Sequence, residues 1–99
     1  MYRSFTATRI SEGNMLFPPT ITLDDTGVTI KSPALLSSRR NFVPYHAISN
    51  VEIYNPLVGF SSISISAYGK TVTVNGFYSA EVEEMKRIIE NGGDDGYGW

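Results

Sequence analysis

The chain contains no cysteine, which excludes disulfides, thiol nucleophiles and thiolate metal sites together and leaves the redox compartment unmarked. It has a single histidine, His46, so the most common general base and metal ligand occurs once. Positive charge is also sparse: eight Lys and Arg stand against ten Asp and Glu, for a net charge of −2. The cations are scattered apart from Arg39-Arg40 and Lys86-Arg87. That is a poor footprint for duplex nucleic acid or an anionic membrane, both of which reward clustered cations. No apolar run approaches a membrane span, and Met1 to Ile10 lacks the apolar stretch of a signal peptide. The expectation is a cytoplasmic protein with no transmembrane segment.

Catalytic constellations are missing as well. Nucleophilic catalysis needs a nucleophile, a base and a group that orients the base. His46 falls in the turn Pro44-Tyr45-His46-Ala47-Ile48, where an ordinary surface residue is expected. Asp24-Asp25 read as turn residues, Glu81 to Glu90 as the wet face of a helix, and Glu52 as the polar side of a strand. A lone histidine with scattered carboxylates is weak support for a metal site. No glycine-rich phosphate loop leads into a helix, since Gly92-Gly93 follows one. The reading is a protein that is not an enzyme and has no cofactor.

What the chain does have is a foldable composition. With 99 residues, 41% hydrophobic and 12% aromatic, it is one domain with one modest core. Period-two alternation puts one set of side chains on a core face and the other on the opposite face. Ile21 and Leu23 alternate with threonines, and after the turn residues Asp24-Asp25-Thr26-Gly27, Val28 and Ile30 do the same. Val43 and Tyr45, then Val51 and Ile53, then Ile63, Ile65 and Ala67, and finally Val72 and Val74 continue the pattern. The outward set Ser62, Ser64, Ser66 and Thr71, Thr73, Asn75, joined through Tyr68-Gly69-Lys70, is the wet face of a hairpin. Tyr2 to Arg9 is assigned as a further strand.

The period changes at Ser79, read as a helix cap, with Glu81, Glu83 and Glu84 early and Lys86 and Arg87 late, as the helix dipole favours. Val82, Met85, Ile88 and Ile89 form the apolar stripe, Glu83 faces Arg87 across one turn, and Gly92-Gly93 stops the helix. Residues 92–99 are expected to be a flexible acidic, aromatic tail. The fold class is therefore mainly β, with one C-terminal helix.

The stretch Phe17-Pro18-Pro19-Thr20-Ile21-Thr22-Leu23-Asp24-Asp25-Thr26-Gly27-Val28-Thr29-Ile30-Lys31 resembles the opening hairpin of small bacterial pleckstrin-homology-like domains. Phe42-Val43-Pro44-Tyr45-His46-Ala47-Ile48-Ser49-Asn50-Val51 resembles their central segment, and Gly76-Phe77 before the helix is similar too. The resemblance covers residues 14–91, leaves the first 13 poorly matched, and delimits a domain at 1–91. It implies two near-orthogonal antiparallel sheets forming a β-barrel or roll, capped by the helix, on a scaffold whose members often self-associate. Fold alone does not assign function. Lipid-binding relatives place several cations between their first two strands, whereas here that turn is acidic and Arg39-Arg40 lies in another loop.

The leading expectation is a protein-interaction or assembly module from a bacterium or bacteriophage, with a protein partner or a second copy of itself. The alternative is a binding domain for an anionic lipid headgroup or single-stranded nucleic acid, acting through Arg39 and Arg40. Three segments carry candidate interface residues. Asn55 to Phe60 places Leu57, Val58 and Phe60 in a connection that is normally polar, where they either mark an interface or fold back over the core. Ser32 to Asn41 sets Leu35 and Leu36 beside Arg39 and Arg40. The tail motif Asp94, Asp95, Tyr97 and Trp99 resembles the acidic, aromatic-ended tails through which some single-stranded-DNA-binding proteins recruit partners; self-docking and no role at all are its other readings.

Overall fold

The computed structural model describes residues 2–8, 19–31 and 41–93. Its strands are β1 (Arg3–Thr6), β2 (Thr20–Leu23), β3 (Gly27–Lys31), β4 (Asn41–Pro44), β5 (Ile48–Tyr54), β6 (Ser61–Ala67) and β7 (Lys70–Phe77), followed by the helix α1 (Ser79–Glu90). They form two antiparallel sheets in the orders β1-β2-β3-β4 and β5-β6-β7. Strand β1 is shorter than the segment assigned from Tyr2 to Arg9.

Turn chemistry sets the first hairpin. Asp24 Oδ1 accepts hydrogen bonds from the Thr26 hydroxyl (2.7 Å), the Thr26 N–H (2.7 Å) and the Gly27 N–H (2.9 Å). These donors, the Thr26 hydroxyl foremost, hold the Asp24 carboxyl below its ordinary range. Gly27 is required by close approach: a Cβ there would lie 2.4 Å from the Val43 carbonyl oxygen and 2.7 Å from the Phe42 ring. Strand β4 runs directly beside it, with Pro44 in register with Gly27.

Tyr45 departs from the expected alternation. Pro44 ends β4, and Tyr45–Ala47 form a 3-10 turn in which the Tyr45 hydroxyl donates to the Asp24 carbonyl at 2.6 Å. That turn carries the chain from one sheet to the other, and Pro44 has no N–H with which to extend a ladder. The sheets therefore remain separate, as two antiparallel sheets with no closed barrel. Among the described residues one backbone hydrogen bond joins them on the far side, from the Thr8 N–H to the Gly76 carbonyl (2.9 Å). Gly76 is the extra residue where the β6–β7 register shifts between Ser61↔Phe77 and Ser62↔Asn75, and such a bulge re-aims backbone groups.

Both sheets turn their apolar rows inward. Phe5, Ile21, Leu23, Val28 and Ile30 from the first meet Val51, Ile63, Ile65 and Val74 from the second, with Val82, Met85, Ile88 and Ile89 of α1 completing the cluster. The helix packs on β5 and β6. On the wet face of β6–β7 the hydroxyl row is knitted across the strands: Ser62 donates to Asn75 (3.1 Å), and Ser64–Thr73 and Ser66–Thr71 are each 2.7 Å apart. These side chains satisfy one another.

The helix begins one residue earlier than the sequence suggests. Tyr78 is the extended N-cap residue and Ser79 the first helical one, because the Glu81 carboxylate reaches back to accept the Tyr78 N–H at 2.8 Å. Its end is a Schellman closure, with Gly92 N–H bonded to the Ile89 carbonyl, Gly93 N–H to the Ile88 carbonyl, and Gly92 at φ 65°.

Candidate interaction surface

The connection between β5 and β6 is anchored at both ends and exposed between them. Asn55 supplies one anchor: its amide oxygen accepts the Ser61 hydroxyl, and its amide nitrogen donates to Glu83 Oε2 at 3.4 Å. The loop is thereby tied both to the start of β6 and to α1. Phe60 supplies the other, its ring centroid 5.7 Å from that of Tyr78 at a 60° tilt, a favoured aromatic geometry.

Leu57 and Val58 occupy the tip, with relative exposures of 105% and 89%. Of the three apolar residues in this connection, only Phe60 is half-buried. Tyr54 and Tyr78, each 66% exposed, add aromatic surface where β5 ends and α1 begins. Neither tyrosine was singled out by sequence pattern. For Tyr54 the signal was present, since alternation from Val51 and Ile53 puts it on the wet face where an aromatic is unusual. Tyr78 was hidden by the assignment of the cap to Ser79.

Three glutamates stand on the elements that carry this connection. Glu81 accepts from the backbone of Tyr78, Glu83 is bound to Asn55, and Glu52, which accepts from Asn50 Nδ2 at 3.0 Å, shares a strand face with Tyr54. Glu84, by contrast, is paired with Arg3 of β1, and Lys86 stands 3.9 Å from Glu90.

A concavity of about 640 Å³ lies at the opposite end of α1, lined by Asp25, Tyr45, His46, Ser49, Asn50 and Ile89 among others. Burial, then the nearby Asp24 and Asp25 carboxylates, push the Tyr45 phenol up to about 12. It is therefore a protonated donor at neutral pH, already committed to the Asp24 carbonyl. Among the described residues no three His, Asp or Glu side chains group as a metal site would require, and no helix is long and apolar enough to cross a membrane.

The remaining candidates, Leu35, Leu36, Arg39 and Arg40 in one loop and Asp94, Asp95, Tyr97 and Trp99 in the tail, lie outside the described residues. No protein-family model matches the chain, and no curated protein matches it.

Proposed function

We propose that this chain is a non-enzymatic protein-interaction or assembly module of pleckstrin-homology-like fold, and that it engages its partner through the connection between β5 and β6. The observation that carries this reading is the full exposure of the adjacent Leu57 and Val58 on a loop whose ends are fixed by Asn55 and Phe60. Apolar side chains at a loop tip cost solvation in the free protein, and covering them gives binding a driving force. Two antiparallel sheets followed by a C-terminal helix support the fold assignment.

The double variant L57S/V58S tests it. Neither side chain contributes to the core cluster, so the thermal midpoint should stay within a few degrees of the parent while association with a partner recovered from the native source is lost. A lower midpoint with association unchanged would assign the tip to folding instead.

A further inference from the structure

We infer that the surface built from Tyr54, Leu57, Val58, Phe60 and Tyr78 receives a protein segment with an apolar face flanked by lysine or arginine. This rests on the interaction-module reading above and names its partner by chemistry. Two independent features of the surface lead to it.

The first is that the surface is built in advance. Asn55 bridges Ser61 and Glu83, and Phe60 leans on Tyr78, so both ends of the loop are already held by β6 and α1. Binding need not order the backbone, and that lowers its entropic cost. Tyrosine, phenylalanine and leucine side chains then offer apolar area to an occupant that can cover Leu57 and Val58.

The second is charge. Glu52 shares a strand face with Tyr54, Glu81 accepts from the Tyr78 backbone, and Glu83 accepts from Asn55 at the start of the loop. On α1 the cations nearest Glu83 are Lys86, which stands 3.9 Å from Glu90, and Arg87, one turn beyond. The positive end of the helix dipole, which would otherwise attract an anion, is met internally by Glu81. The rim is therefore acidic, and it selects a cationic border around the apolar anchor. It also disfavours two other occupants. An anionic lipid surface would repel these carboxylates. A two-fold contact with a second copy would set the same glutamates against each other.

Selection from a random peptide library displayed on phage, with the full chain as bait and L57S/V58S as counter-bait, tests the assignment. Peptides retained by the parent and lost by the variant should combine aliphatic or aromatic anchors with Lys or Arg. A synthetic peptide from that set should bind about twofold to fivefold more weakly to E52Q and to E83Q, and more weakly in raised salt. Glutamine at 83 keeps an acceptor for Asn55, so the loop anchor survives the change. Enrichment of acidic or uncharged peptides, or unchanged affinity in both glutamine variants, overturns the cationic partner while leaving the apolar surface assigned. Peptides that bind parent and L57S/V58S alike, or no peptide that the variant loses, overturn both. Binding of the parent, but not the variant, to phosphatidylcholine vesicles assigns the tip to a membrane instead. A concentration-dependent dimer lost in L57S/V58S assigns it to a second copy.

Discussion

Tyr45 shows how a single side chain couples the first hairpin to the crossover between sheets. Its hydroxyl donates to the Asp24 carbonyl at 2.6 Å, and its ring lies against the helix end, where a Cβ on Gly93 would come within 2.7 Å of it. Loss of the phenolic proton would remove that hydrogen bond and set a new negative charge beside Asp24 and Asp25. This is why burial and those carboxylates raise its pKa to about 12, above the ordinary 10.0. A group whose pKa is raised on folding contributes stability that is fully present below the unfolded value and lost as pH rises through the folded one. Stability should therefore decline between pH 10.0 and about 12. In Tyr45→Phe the decline should flatten, at a cost of about 0.5–1.5 kcal/mol at neutral pH for the missing hydrogen bond. Urea unfolding at a series of pH values measures both. An equally steep alkaline loss in the variant would place the responsible group elsewhere.

At the scale of elements, the start of α1 sets stability against surface chemistry. Serine at an N-cap satisfies an orphan backbone N–H, while Tyr78 makes no side-chain cap bond there. Tyr78 instead spends its ring on Phe60 and on solvent-facing area. Tyr78→Ser should gain about 0.5–1 kcal/mol from capping and lose about 0.5–1.5 kcal/mol of ring contact. The two nearly cancel, so the urea midpoint should barely move, whereas affinity for a peptide selected on the parent should fall. A loss of stability above about 2 kcal/mol would identify the ring as a core wedge. The same site marks what sequence pattern reaches. Strands β2, β3, β5, β6 and β7 and the stripe Val82, Met85, Ile88, Ile89 were legible because burial follows periods of 2 and 3.6. The helix start was not, because a glutamate reaching back from the first turn competes with serine for the role. The route between the sheets was not either, since Tyr45 reads as continuing the strand whereas Pro44 and the 3-10 turn redirect the chain there. Leu57 and Val58 were legible as apolar residues in a turn; their exposure was a tertiary fact.

Across the whole molecule, the two sheets share a core without sharing a ladder. Their joint is side-chain packing, supplemented by the Thr8–Gly76 backbone bond and the Arg3–Glu84 ion pair. A half-exposed ion pair contributes about 0–1 kcal/mol, and one neutral hydrogen bond about 0.5–1.5 kcal/mol, so neither can lock the sheets together. Two units that open separately are one possible outcome of such a joint. Strand length argues against it. Strands β1, β2 and β4 have four residues each and β3 five, and a short sheet is independently stable only when its hydrophobic face is covered. The cover for Ile21, Leu23, Val28 and Ile30 is the cluster formed by β5–β7 and α1, so removing either half exposes the other. Leu23→Ala in β2 and Ile63→Ala in β6, both at positions with 0% exposure, should each cost about 2–5 kcal/mol. Each should lower the native-state hydrogen-exchange free energy of the slowest amides in both sheets by the same amount, because those amides exchange through global unfolding. If Leu23→Ala lowered protection in β2 and β3 while β5 and β6 kept theirs, the three-stranded sheet and helix would constitute a separate folding unit.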